Sequence, residues 1–120
     1  MMNSSNNQYL PERQDLIWIN FVPSVGSEIR GRHPALVLSS PGYSEMTGLV
    51  MVMPITHASN NRLRDFFIPL HAHKLEGYIN PLQVFTFSIK GRKAEFSGEI
   101  CSDQDWAAAL QVHQQILGID

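Results

Sequence analysis

The stretch Gly26-Ser27-Glu28-Ile29-Arg30-Gly31-Arg32-His33-Pro34-Ala35-Leu36-Val37-Leu38-Ser39 joins two different kinds of chain. Residues 26–34 are polar and charged, broken by two glycines and a proline. Ala35 to Leu38 is a short, purely apolar run, the pattern of a buried strand. A charged loop therefore runs straight into the core. Loops held by a rigid scaffold are where binding and catalytic groups concentrate. This one carries Glu28, Arg30, Arg32 and His33.

On the N-terminal side, Asp15-Leu16-Ile17-Trp18-Ile19-Asn20-Phe21 predicts a first strand, apolar on both faces and so buried on both. Residues 1–14 read as a frayed leader (1–13 outside the folded part), tacked down by Tyr9, Leu10 and Pro11. On the C-terminal side the second strand covers Ala35 to Ser39, followed by a turn at Ser40-Pro41-Gly42-Tyr43 and one helical turn over 44–48 closed by Gly48. A third strand covers Leu49 to Pro54, and a fourth covers Phe66 to Leu70 with Pro69 marking an edge or end. Gly77 to Lys90 reads as two short strands or one strand bent at Pro81. Ala94 to Cys101 is the last strand, with Gly98 at a bulge.

The chain ends in its clearest helix. Ser102 caps it, and Asp105 stands where the second member of a capping box belongs. Trp106, Leu110, His113 and Leu117 form an apolar stripe flanked by Ala109, Val112 and Ile116. Gly118 closes the helix, and Ile119 is placed to pack back on its last turn. Six or seven short strands and one real helix, without a βαβ rhythm, predict a mainly β (α+β) fold. The expected form is a small, strongly bent antiparallel sheet or barrel with a helix packed on it.

The 120 residues suit one domain over 1–120 with a single core. With 43% apolar and 17% charged residues the chain is globular rather than disordered. It shows no apolar run of membrane-spanning length and no signal-peptide pattern, so a cytoplasmic protein without membrane attachment is expected. A single cysteine, Cys101, excludes an internal disulfide and a multi-cysteine metal site. Cys101 reads as a small buried apolar residue. The net charge of −2 does not advertise nucleic-acid binding, which would need a local basic patch.

Several residue groups admit two readings. In the opening loop, Arg30 and Arg32 suit phosphate, His33 suits proton transfer at neutral pH, and Glu28 orients either. The same charges also suit a solvated loop that pairs with itself. Thr56, at the end of the third strand in Pro54-Ile55-Thr56-His57, either touches a substrate oxygen or caps a turn. Lys90, Arg92 and Lys93, with Arg62 and Arg64, form either a basic rim for a nucleic-acid backbone or a solvated surface. Phe85, Phe87 and Phe96 either stack on bases or fill the core. His71 and His73 read as surface histidines, because no third ligand stands at metal-site spacing.

In order, Asp15-Leu16-Ile17-Trp18, Phe21-x-Pro23, Gly26-Ser27-Glu28 and Pro34-Ala35-Leu36-Val37-Leu38-Ser39 resemble the N-terminal half of the MazF/PemK (Kid-like) growth-inhibitor toxins. The likeness continues through Tyr43, Thr47-Gly48, Pro54-x-Thr56 and Gln83, and fades after Gly98. The resemblance implies an SH3-like barrel with helical additions, a two-fold homodimer, and a toxin of a toxin–antitoxin pair. It implies an endoribonuclease that cuts single-stranded messenger RNA at short sequences without a metal or other cofactor. Attack by the 2′-hydroxyl leaves a cyclic phosphate and a 5′-hydroxyl, and a cognate antitoxin segment blocks the site. Carried over by position, Thr56 holds the scissile phosphate and Glu28 is the loop acid. Lys90 and Arg92 match the family's basic positions after the later strand, and the resemblance implies Arg30, Lys90, Arg92 and Gln83 as the RNA-binding set.

Three positions depart from the family pattern. The catalytic Arg stands directly before the Pro that opens the second strand, and here that place is His33, preceded by Arg32. Three outcomes stay open: His33 acts as acid and base with Arg32 or Arg30 supplying charge, Arg32 shifts into the role, or cleavage is weak or lost. Leu82 replaces the Asp before Gln83, with Asn80 nearby, and Gln14 replaces the Gly before Asp15. The alternative function is binding without catalysis. That would be either a gyrase poison of the CcdB kind acting through Leu117 to Asp120, or a degenerate toxin that still binds RNA or antitoxin.

Overall fold

The computed structural model describes residues 8–22, 31–57 and 62–119. Seven strands form one curled antiparallel sheet. In chain order they are β1 (Asp15–Asn20), β2 (Arg32–Val37), β3 (Leu49–Thr56), β4 (Ile68–Pro69), β5 (Tyr78–Ile79), β6 (Phe85–Ser88) and β7 (Glu95–Ile100). The sheet runs β4-β5-β3-β2-β1-β7, and β6 also pairs with β3. With helices α1 (Pro41–Thr47) and α2 (Asp103–Leu117), this is the mainly β half-barrel with a packed C-terminal helix that the sequence predicts.

The apolar run of β1 is buried on both faces, as its composition requires. Leu16 joins Leu36, Met53, Ile55 and Ile79 on one face, closed by Ala109 and Trp106 of α2. Ile17 and Ile19 join Ala35, Val37, Val50, Val52 and Phe87 on the other face. Phe21, Phe85 and Phe87 pack ring against ring at the edge of that second cluster, so packing is the role of Phe85 and Phe87. Phe96 stacks on Tyr9.

Several local expectations are corrected by tertiary pairing. β2 begins at Arg32 rather than Ala35, because Asn20 and Ile19 of β1 pair with Arg32 and His33. Pro34 is tolerated inside it because pairing with β3 starts one residue later, at Ala35. The expected strand over 66–70 is reduced to β4, since Phe66 closes a 3-10 turn over Arg64–Phe66. Of the two readings of 77–90, two short strands are observed, separated by a turn at Pro81. α1 is longer than one turn because Ser40 caps it and Pro41 supplies a preset first residue. Residues 9–14 are packed rather than frayed: Pro11 is fully buried and the Glu12 amide donates to Asp15. The Tyr9 hydroxyl also bonds Asp15, and burial plus that carboxylate push the phenol far above its ordinary range.

α2 starts as expected, with Ser102 Oγ accepting from the Asp105 amide at 3.1 Å. The capping box is not closed by Asp105, however, because its carboxylate turns away to His71. The helix ends at Gly118 in the left-handed region (φ 77), where the Ile119 amide donates to Gln114 O. Ile119 does not pack back: it and Leu117 stay 60% and 57% exposed. Gly98 (φ 94) and the register shift opposite Leu16 and Ile17 form the expected bulge in β7. Among the described residues no helix is long and apolar enough to cross a membrane.

Cys101 is buried as read from the sequence, at 3% exposure. Burial first, then Asp105 and Asp103, push its thiol up to about 12. Native protein at about pH 8 should therefore leave Cys101 unmodified by a thiol-specific disulfide reagent and react fully in urea. Rapid reaction of the native protein would contradict this burial.

Candidate functional site

A cleft of 1130 Å³ opens over the end of the sheet where β1 ends, β2 begins and β3 ends. Arg32, His33, Thr56 and Gln83, four of the eight residues singled out in the sequence, line it. Glu28 and Arg30 lie outside the described residues. Lys90 is exposed on the turn after β6 and does not line the cleft. Arg92 is turned into the fold. Its guanidinium donates to Phe21 O at 2.5 Å and to Asn20 O at 3.3 Å, and lies 4.4 Å over the Phe87 ring. Its charge fastens the end of β1 to the β6–β7 turn.

Strand alternation decides how Arg32 and His33 enter the cleft. Successive side chains of a strand point to opposite faces. His33 shares the face of Ala35 and Val37, and its ring meets Phe21 edge-on at 5.8 Å. On β3 the same face carries Val50 and Val52, hence Pro54 and Thr56. Ala35 pairs with Pro54. Continued two residues, that register brings His33 opposite Thr56, with both at the cleft. Arg32 takes the other face. Its guanidinium bonds Glu95 at 2.8 Å and Asn20 Oδ1 at 3.2 Å. Glu95 sits across from Trp18, on the same face.

The backbone behind Thr56 is held by Gly77. At φ 136 this residue sits where a side chain is strained, and a Cβ there would lie 2.8 Å from the Thr56 carbonyl. Asn80 is hung on the same strand, its amide donating to Pro54 O at 2.9 Å.

The far wall of the cleft is the segment carrying Lys74, Leu75 and Glu76. Two carboxylates hold it. Asp105, 2% exposed, accepts from the His71 amide at 2.8 Å and meets His71 Nδ1 at 2.9 Å. Glu99 accepts from the His73 and Lys74 amides at 2.7 and 2.8 Å. His71 and His73 are exposed, as read from the sequence, and do not line the cleft. Among the described residues no three His, Cys, Asp or Glu side chains are grouped to hold a metal ion.

The sequence reading missed Lys74, Trp18 and Phe67 as cleft residues. Lys74 stands in an unpatterned connector, and only the distant Glu99 places it. Trp18 is a partly buried strand residue, and Phe67 is buried but stands between the 3-10 turn and β4, not in the strand its composition predicts.

A model of the family described as "PemK-like, MazF-like toxin of type II toxin-antitoxin system" matches residues 12–117. The chain belongs to this toxin family. It is 32% identical over 98 residues to the endoribonuclease toxin MazF of Escherichia coli K12, covering 82% of this chain and 86% of that one. It is 34% identical over 91 residues to the endoribonuclease toxin ChpB of the same strain, covering 72% and 78%. Its fold is similar to the crystal structure of MazF from Deinococcus radiodurans, with a TM-score of 0.79 and 30% identity over 92% of this chain and 99% of that one.

Backbone hydrogen bonds from His73, then Lys74, hold the Glu99 carboxyl below the usual carboxylate range. Its folded-state pKa lies below its unfolded one, so its contribution is present at neutral pH and lost as pH falls through the folded value. Between about pH 7 and about pH 3, wild-type stability in urea should fall further than that of Glu99→Gln. Equal losses would contradict this hold on the wall.

Proposed function

We propose that this chain is the toxin of a type II toxin–antitoxin pair and a metal-independent endoribonuclease acting on single-stranded messenger RNA at short sequences. The observation that carries the reading is the shared face of His33 and Thr56 at the cleft, in a member of a family whose relatives are endoribonuclease toxins. Of the three outcomes left open by the sequence, catalysis through His33 is the one this arrangement supports. Arg32 is already committed to Glu95 on the opposite face.

The chemistry needs a proton acceptor, a proton donor and positive charge around the pentacoordinate phosphorus. The 2′-hydroxyl passes its proton to the His33 imidazole as its oxygen attacks the adjacent phosphorus. The new P–O2′ bond forms, the P–O5′ bond breaks, and the imidazolium returns the proton to the departing 5′-oxygen. The products are a 2′,3′-cyclic phosphate and a 5′-hydroxyl. The Thr56 hydroxyl donates to a non-bridging oxygen, Lys74 offsets the accumulating negative charge, and Gln83 contacts the RNA strand, while Arg32, paired with Glu95, contributes little. The resemblance assigns Glu28 the part of the loop acid and Arg30 an RNA contact, and Lys90 guides the RNA strand further out. Arg92 is assigned to the fold instead.

The proposal includes a homodimer and a cognate antitoxin whose segment covers the cleft. A MazE–MazF complex from Deinococcus radiodurans is similar in fold to this chain, with a TM-score of 0.79 and 29% identity over 93% of this chain and 100% of that one.

Purified protein incubated with mixed RNA and a chelator should yield fragments with cyclic-phosphate and 5′-hydroxyl ends. His33→Ala should slow cleavage by roughly 10²–10⁴-fold. Thr56→Ala should slow it by roughly 10²-fold. Arg32→Ala should cost about tenfold or less. Full activity in His33→Ala, or 5′-phosphate ends, would contradict the proposal.

A further inference from the structure

Resting on the ribonuclease reading, we infer that Gln83 is a base-reading residue that favours a keto base, uracil or guanine, and that Asn80 positions it.

The inference follows from hydrogen-bond polarity. An amide side chain has a donor end and an acceptor end, and which end faces a ligand is fixed only by its other partners. Here the chain of partners begins at the backbone, where polarity is unambiguous. The Leu82 amide donates to Asn80 Oδ1 at 3.0 Å. That oxygen is the acceptor end of Asn80, so Nδ2 is its donor end. Nδ2 donates to Gln83 Oε1 at 3.2 Å. Gln83 is thereby oriented: its oxygen faces Asn80 with one of two lone pairs used, and its Nε2, with two N–H groups, is the end turned away towards a ligand.

The position is right for a base. Asn80 is fixed to β3 through Pro54 O, two residues before Thr56. By the β3–β5 register its side chain shares the face of Pro54 and Thr56. Gln83 is exposed and lines the same cleft. A strand whose phosphate lies between His33 and Thr56 brings a neighbouring base to this amide.

A fixed N–H donor distinguishes bases by what they offer. Uracil O4 and guanine O6 are acceptors, whereas cytosine N4 and adenine N6 are donors. A keto group at the position meets a hydrogen bond. An amino group there meets a second donor and leaves both desolvated groups unpaired. The Leu82-to-Asn80-to-Gln83 relay sets this preference, because without Asn80 the amide rotates and accepts either kind of base.

The test uses short oligouridine and oligocytidine carrying 2′-fluoro sugars, which bind without being cut and differ at the base edge. Wild type should bind oligouridine roughly three- to tenfold more tightly than oligocytidine. Gln83→Glu keeps an oxygen for Asn80 Nδ2 and replaces the donor with an acceptor, so the ratio should reverse. Asn80→Ala should bring the ratio towards one, with circular dichroism and melting temperature showing the fold intact. A fold-only role for either residue would weaken both oligonucleotides equally and leave the ratio unchanged, which would overturn the inference. A wild-type preference for oligocytidine would also overturn it. If wild type binds neither oligonucleotide, this inference and the ribonuclease reading fail together. If it binds both with an unshifted ratio in Gln83→Glu, only this inference fails.

Discussion

The alternation of side chains along β2 is the constraint on which the site depends. Pairing with β1 fixes the register of β2 back to Arg32, and pairing with β3 fixes it from Ala35 onward. His33 is therefore committed to the face of Thr56, and Arg32 to the face of Glu95. Moving Arg32 into the place of His33 takes a one-residue slip, which turns Ala35, Leu36 and Val37 to the wrong faces together. Both faces of β2 are apolar, so the cost is misfit. Leu36 would have to enter the space shaped for Ala35 and Val37, at roughly 1–3 kcal/mol for overpacking, and the ladder with β1 and β3 would have to be rebuilt.

The rest of the cleft is built by using charge inside the fold. Asp105 begins as part of a helix N-terminus but spends its carboxylate on the connector before β5. Glu99 does the same from the bulged strand β7. Together they hold the segment that carries Lys74 at the cleft wall, and Glu95 of the same β7 also holds Arg32. Arg92 works in the same way, tying the end of β1 to the turn before β7.

Much of the fold was legible because its signals are local. The two-faced apolar run of β1, the apolar β3, and the Ser102 and Gly118 ends of α2 need no tertiary information. The start of β2 was not legible, because Arg32-His33-Pro34 is polar and becomes strand only through pairing with Ile19 and Asn20. The run Phe66-Phe67-Ile68 reads as a strand by composition but turns at Phe66, since an apolar run does not declare its conformation. In the site, position relative to Pro34 and Pro54 was enough to find His33 and Thr56. Which face Arg32 takes and where Lys74 sits depend on partners 63 and 25 residues away in sequence, Glu95 and Glu99. Charge alone grouped Arg92 with Lys90, although its guanidinium is spent on backbone carbonyls.

In the proposed reaction the His33 imidazole moves the proton, at the place before Pro34 where the resemblance implies an arginine. A histidine changes charge between about pH 5 and 8, whereas a guanidinium stays charged throughout. The direct measurement is the single-turnover cleavage rate of one RNA across that range, for wild type and for His33→Arg. If His33 moves the proton, the wild-type rate bends with pH in that window, and the His33→Arg variant still cuts and loses the bend. The same pH profile in both proteins, or a bend abolished by Arg32→Ala and kept in His33→Arg, would contradict it.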